Sequence, residues 1–233
     1  MNNTSFLDKD KGFGFISGNT YLNKITDLDV SFDEFKNLYS ESLAPDGVRN
    51  RSYLKLSWNR ESNQVAVDAN QNYFQSANSN VDDGGKVRQF AKINPGILQS
   101  PIMKSILDQN IEFILNYQPL EDQKELKLGI HFIQYIAEEM GASYSSPVGL
   151  HVDDEPLVFV HLIELTPNAI GGDNLIARLS DQEITNVIRL KNKLDTICLT
   201  QSTYHAVTPL GSESCLAYRN VVLFTVEPGH TQV

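Results

Sequence analysis

At 233 residues with 41% hydrophobic side chains, the chain can bury one sizeable core, and no apolar run reaches the roughly 20 residues needed to span a bilayer. A formal net charge of −10 argues against nucleic acid as a partner, because phosphate binding needs a concentrated positive field. It leaves small anionic substrates open, since one arginine inside a cleft outweighs a screened surface charge.

The opening segment from Met1 to Asp10 lacks the basic-then-apolar plan of a secretory signal, and Cys198 and Cys215 are too few for a disulfide framework. A cytoplasmic location is expected. Gly12, Gly14 and Gly18 among aromatic residues read as a strand with turns. Ser31-Phe32-Asp33-Glu34 has the form of a capping box, with Ser31 as the N-cap of a helix. Phe32, Phe35, Leu38 and Tyr39 then recur at helical spacing, and Pro45-Asp46-Gly47 closes that helix as a turn. A second helix starts at Ser100-Pro101, with Ile102, Ile106, Ile111, Ile114 and Leu115 as its apolar side. Both helices are expected on one outer face of a sheet.

From Leu126 onward the period changes to that of strands. Leu128, Ile130 and Phe132 alternate, and Leu157 to Leu165 is rich in β-formers. Gly171-Gly172-Asp173-Asn174 reads as a hairpin turn. Two further strands are expected around Asp195–Leu199 and Arg219–Val226, with Pro209-Leu210-Gly211-Ser212 as a loop between them. The pattern predicts an α+β, mainly β chain, a sandwich or jelly roll with flanking N-terminal helices, and the linear gap from Asp153 to His205 fits a double-stranded β-helix (jelly-roll, cupin-like) core. One domain, 1–233, is expected, with strands and supporting helices over 1–125 and the jelly-roll core over 126–228.

The chemistry concentrates in His151-Val152-Asp153, His205 and Arg219. Two imidazoles and one carboxylate form the three-donor set of a non-haem Fe(II) centre, which leaves positions open for substrate and O₂. The same set could hold Zn(II), Mn(II) or Ni(II). In a strand, His151 and Asp153 would emerge on one face; the plainer reading is a surface turn, to which Asp154-Glu155-Pro156 lends support. Either acid could replace Asp153 as ligand, although a solvated loop suits both better. Arg219 lies fourteen residues after His205, just inside an expected strand, where it could meet the far carboxylate of 2-oxoglutarate. Its alternative is a salt bridge to a protein acid. His131 and His161 read as core histidines, and His230, near the C-terminus, as idle. Cys198 and Cys215 read as strand residues. No phosphate loop, serine elbow or Cys-x-x-Cys motif occurs.

On these residues the chain resembles the bacterial 2-oxoglutarate–Fe dioxygenase family that includes the L-isoleucine and L-leucine hydroxylases. The resemblance runs from Pro45 to Glu227, most of the chain. It begins with Pro45-Asp46-Gly47-Val48-Arg49-Asn50-Arg51-Ser52-Tyr53, then Tyr73-Phe74-Gln75-Ser76, Asn80 and Gly84-Gly85-Lys86-Val87-Arg88-Gln89-Phe90. It continues through Gly149-Leu150-His151-Val152-Asp153, Asn168 with Gly171-Gly172, His205-Ala206-Val207-Thr208-Pro209 and Tyr218-Arg219-Asn220-Val221. The resemblance implies a jelly roll holding Fe(II) on His151, Asp153 and His205, with 2-oxoglutarate on Arg219 and O₂ as co-substrate. It further implies hydroxylation of an unactivated C–H of a small free aliphatic amino acid, releasing succinate and CO₂. Val148, Val152 and Asp154 stand where the family usually has Glu, Arg and Gly, and Leu165-Thr166-Pro167-Asn168 replaces an Arg-Glu-Asn segment. These departures spare the ligands and alter the mouth of the site.

With Asp153 retained, halogenation is disfavoured, because losing the carboxylate is what makes room for halide. For the substrate, Arg49, Arg51 or Arg88 could bind an amino-acid carboxylate and Asp154 or Glu155 its ammonium, while Tyr53, Gln75 and Trp58 shape the pocket. Each arginine has the alternative of a structural salt bridge. Rival readings are the same chemistry on a peptide- or carrier-tethered residue, a non-catalytic β-sandwich binding metal or a sugar-like ligand, and a zinc hydrolase. Oligomeric state is not legible.

Overall fold

The computed structural model describes residues 7–8 and 11–228, so His230 and most of the Met1–Asp10 segment lie outside the described residues. The first strand, β1 (Phe13–Ile16), is followed by a single helical turn, α1 (Asn19–Leu22), and the longer α2 (Leu28–Ser42). The expected start of α2 is corrected: Asp27, in the left-handed region at φ 50°, precedes the helix, and Ser31 sits within its first turns. The apolar stripe begins one turn earlier than the capping pattern suggests. Leu28 already packs on the core, and Leu28, Phe32, Phe35 and Tyr39 share one face.

A short hairpin joins β2 (Ala44–Asp46) to β3 (Arg49–Asn59), with Gly47 at φ 64° in the turn. There follow β4 (Gln64–Val67), β5 (Tyr73–Gln75), β6 (Lys86–Arg88) and β7 (Ala91–Lys92), then α3 (Pro101–Leu115). On α3, Ile102, Ile106, Ile111 and Ile114 are buried as expected, while Leu115 is exposed. The long β8 (Glu125–Ala137) and β9 (Leu157–Leu165) lead to β10 (Ala169–Gly171), β11 (Asn174–Arg178) and β12 (Ile184–Ile188). The chain ends through β13 (Thr196–Thr200), β14 (Thr203–Val207), β15 (Leu210–Ser212) and β16 (Ala217–Pro228).

The large sheet runs β1-β13-β9-β16-β8-β3-β2, with β4 and β7 also on β3. Its outer face carries Leu54, Leu56, Trp58, Leu128, Ile130, Phe132, Phe159, Val222 and Phe224, packed with Phe32, Phe35, Tyr39 and the isoleucines of α3 in one core cluster. Phe32 and Phe35, both buried, contribute about 1.5–3 kcal/mol each by this packing. The Tyr39 hydroxyl pins α2 to the sheet by donating to the Ile133 carbonyl at 2.7 Å. The opposite face, with Ile133, Leu162 and Val221, meets smaller sheets formed by β12-β11-β14 and β10-β15. Both faces of the large sheet are thus covered, which explains why its central strands read as near-continuous apolar runs.

Two turn assignments are corrected. Gly171-Gly172 does not close a hairpin, because β10 pairs with β15 whereas β11 pairs with β12 and β14. The two glycines, at φ 70° and 73°, carry the chain from one small sheet to the other. The segment after Pro209 is not merely a loop, since Leu210–Ser212 forms β15. Cys198 is a buried strand residue, but Cys215 is exposed in a turn at φ 56°.

Candidate active site

His205 lies within β14, opposite Ile176 of β11, and not ahead of a strand as its sequence context suggests. His151 is outside any strand, which corrects the parity argument for the pair. It is brought in by an isolated bridge, its N–H donating to the His205 carbonyl at 3.0 Å and the His205 N–H returning to His151 at 2.9 Å. Asp153 follows on the loop, and donor atoms of His151, Asp153 and His205 all lie within 4.8 Å of one another. His151 Nε2 is 3.5 Å from Asp153 Oδ1 and His205 Nε2 is 3.3 Å from Oδ2. Ligand atoms about 2.1 Å from one ion and at right angles stand about 3 Å apart, so the cluster has the size of a metal centre. His151 Nδ1 lies 3.0 Å from the Gly149 carbonyl, a bond that puts the proton on Nδ1 and turns the Nε2 lone pair to the cluster.

Electrostatics follow the same geometry. Burial favours a neutral His151, but its hydrogen bond with Asp153 prevails and raises its pKa. Burial would raise Asp153, yet the His205 and His151 imidazoles hold it well below the usual carboxylate range. A site that stabilises protons around one carboxylate can exchange them for a cation.

Residues far away in sequence hold the loop. Gln75, buried on β5, donates from Nε2 to Asp153 Oδ1 at 3.3 Å. Its Oε1 accepts from Asn80 at 3.0 Å and Arg88 at 3.2 Å, which forces the amide N–H towards the Asp153 carboxylate. Asp154 accepts from the Ser76 hydroxyl at 2.8 Å and the Ser79 hydroxyl at 2.6 Å, so it fastens the loop and is not a free ammonium receptor. Glu155 is buried, contrary to a solvated loop, with the Tyr73 hydroxyl donating to it at 3.2 Å. Burial, then neighbouring Asp153, pushes its carboxyl well above the usual range.

The cavity in front of the triad is lined by Arg49, Arg51, Tyr73, Gln75, Tyr135, Asn174, Arg219 and the aliphatic residues Ile133, Val158, Val160, Val221 and Leu223. Arg219 is buried on β16, and its Nη2 has no hydrogen-bond partner among the described residues. The acid that might have neutralised it, Asp173, pairs with Arg189 at 3.2 Å. Room for Arg219 depends on Gly172, where a Cβ would meet its Cδ at 2.9 Å.

The other expected substrate residues divide. Arg49 and Arg51 line the cavity; Arg88 stands behind Gln75, and Asp154 faces a neighbouring cleft with Lys55 and Glu227. Tyr53 is buried against the His131 ring at 4.4 Å and does not line the cavity, a place taken by Tyr73. Trp58 points to the opposite face and donates to Asn63, so it shapes no part of the site. His161 is a satisfied core residue, bonded to Thr196 and Asn110. His131 is buried too, against Arg51. Tyr73, Ser76 and Tyr135 were missed as contributors. For Ser76 and Tyr73, the only sequence signal was their place beside Gln75.

Residues 33–225 match the family model described as 2OG-Fe dioxygenase. The chain is 40% identical over 219 residues to an L-isoleucine-4-hydroxylase of Bacillus thuringiensis, covering 93% of this chain and 91% of that protein. It is 32% identical over 230 residues to a 3(1)-hydroxy-L-isoleucine 4-dioxygenase of Pantoea ananatis, covering 93% and 92%. The crystal structure of IDO from Bacillus thuringiensis superposes with a TM-score of 0.84 at 38% identity, over 95% of this chain and 96% of the other. The Fe(II)/(alpha)ketoglutarate-dependent dioxygenase TqaL shares the fold at a TM-score of 0.71 and 11% identity, over 94% of this chain and 83% of the other.

Proposed function

The chain belongs to the 2OG-Fe dioxygenase family, and from that premise we propose that it hydroxylates an unactivated C–H bond of a free aliphatic L-amino acid of the isoleucine or leucine kind. The protein is a 2-oxoglutarate-dependent non-haem iron dioxygenase, so the non-catalytic and hydrolytic readings fall away. In the overall reaction, one oxygen atom of O₂ enters the substrate C–H as hydroxyl. The other enters succinate as 2-oxoglutarate loses CO₂.

The observation that carries the reading is the convergence of three donors on one point of a cavity that also receives an unpaired arginine. His151 and His205 through Nε2, and Asp153 through a carboxylate oxygen, are the residues to hold Fe(II). When bound, iron supplies the activation of O₂ and the oxidation of carbon, which no side chain can perform. Arg219 fits the distal carboxylate of 2-oxoglutarate as a planar fork, satisfying a charge that burial otherwise makes costly. Its part is orientation. Gln75 keeps the Asp153 carboxylate in place, and the aliphatic walls limit water near the reacting centre. Arg49 and Arg51 line the cavity and are the arginines we read as meeting the substrate, whereas Tyr53, Arg88 and Asp154 act at most through neighbours.

We also read 1–233 as one domain, since β3 and β8 pair from Arg49↔Tyr135 to Asn59↔Glu125 across the boundary of the expected parts. No helix among the described residues is long and apolar enough to cross a membrane. Unpaired Cys198 and Cys215 suit the cytoplasm.

Aerobic incubation with Fe(II), 2-oxoglutarate and a pool of free L-amino acids, followed by mass spectrometry, tests the proposal. A product heavier by one oxygen, formed together with succinate and abolished in His151→Ala, is expected. Succinate without such a product would move the substrate to a tethered residue. Neither signal from iron-loaded protein would sink the reading.

A further inference from the structure

Most arginines of the described chain have a partner. Arg49 pairs with Asp46 at 3.4 Å, Arg178 with Asp181 at 2.9 Å and Arg189 with Asp173 at 3.2 Å. Arg60 donates to the Leu120 and Gln123 carbonyls, and Arg88 to Gln75. Two buried arginines, Arg219 and Arg51, have no ion-pair partner among the described residues, and both line the cavity of the triad. On the inner sheet face, Arg51 stands opposite Ile133 and Arg219 opposite Tyr135, so β8 lies between them. Two strand spacings separate them sideways by about 10 Å.

Arg51 is held firmly without being neutralised. Its Nη2 donates to His131 Nδ1 at 2.9 Å, its guanidinium lies 4.0 Å from the Phe90 ring centre, and its Nε has no partner among the described residues. His131 supplies no charge, because burial, then Arg51 itself, keeps the imidazole well below its ordinary pKa. Burial lowers Arg51 to about 10, which leaves it charged at neutral pH. A cation fixed by a neutral acceptor and an aromatic face, facing a cavity, is arranged to receive an anion.

The cavity therefore presents two uncompensated guanidinium groups, and the proposed reaction brings two carboxylate-bearing molecules. We infer that Arg51 anchors the α-carboxylate of the amino-acid substrate, leaving Arg219 to 2-oxoglutarate. The inference rests on the free-amino-acid reading and supplies a reason for it. A residue tethered through its carboxyl, as an ester or amide, would leave Arg51 buried and unpaired, so the site selects the free acid.

The test is calorimetric binding under anaerobic conditions to protein loaded with Fe(II) and 2-oxoglutarate. The probes are L-isoleucine and L-leucine, each against its carboxamide. Wild type is expected to prefer the acid, and Arg51→Met to weaken acid binding by about 100-fold. The acid-over-amide preference should fall close to one, with 2-oxoglutarate binding unchanged. An undiminished preference in R51M, in protein whose wild type hydroxylates a free amino acid, overturns the anchor alone. Wild-type protein that neither binds nor turns over any free amino acid overturns the underlying reading and the anchor with it. Should R51M not fold, Arg51→Lys keeps the charge without the fork: weaker acid binding supports the anchor, and equal affinity overturns it.

Discussion

The Arg219 guanidinium is a charge removed from water with no ion-pair partner among the described residues, and burial lowers its pKa accordingly. Such a group destabilises the protein until a carboxylate arrives, so it separates binding from folding. Arg219→Ala is expected to raise the KM for 2-oxoglutarate by about 100-fold, with little change in the KM for the amino acid. The thermal midpoint of the ligand-free protein should stay level or rise, because an uncompensated charge has gone. An unchanged 2-oxoglutarate requirement would remove Arg219 from the site. At this scale the sequence was informative: His151, Asp153, His205 and Arg219 all meet in or beside one cavity. Asp154 and Glu155 were not legible, because whether an acid is solvated depends on what packs over it. Here Ser76, Ser79 and Tyr73 do so from a segment some 78 residues away.

Among the elements, the crossover between β10 and β11 is the one that governs function from a distance. Gly172 combines φ 73° with a position 2.9 Å from Arg219 Cδ for any added Cβ. A Gly172→Ala change therefore strains the backbone by about 1 kcal/mol and displaces the arginine. The expected result is a KM for 2-oxoglutarate raised by about tenfold, with a lowered thermal midpoint, read by steady-state kinetics and melting. A lowered midpoint with an unaltered KM would show that Gly172 serves the turn alone. Local sequence marked the glycines but misread their use as a hairpin. Both uses need a positive φ, and only strand partners distinguish them. The start of α2 shows the same limit, for the Ser31 pattern met its propensity rule while the packing of Leu28 set the boundary.

Across the whole molecule, the large sheet joins the early strands to the late ones, and charge pairs along its margin respond to acid. Asp68 accepts from Ser57 at 2.6 Å and pairs with Lys127 at 2.8 Å, tying the segment after β4 to β3 and β8. Burial opposes its ionisation, but the bonds from Lys127, Ser57 and Asn70 prevail and lower it from 3.8 to about 2. A carboxylate depressed in the folded state stabilises it above the unfolded value, and that contribution is lost as pH falls through the folded one. Stability should therefore decline between about pH 4 and pH 2, and Asp68→Asn should make that decline shallower while lowering stability at neutral pH. Urea unfolding across this range measures it; equal slopes for the two proteins would exclude Asp68 as a contributor.

The sequence by itself marked the candidate triad, the arginine after it, the mainly β architecture and the apolar strands. Each of these is written in residue type, spacing or period, which neighbours along the chain specify. Only the tertiary structure decided that Gln75 orients Asp153, that Gly172 makes way for Arg219 and that Trp58 lies on the wrong face for the site. It also decided which of several arginines would be left without an acid. Ion pairing is a property of what register and packing bring within a few ångströms, and residues such as Arg51 and His131 meet only when β3 and β8 align.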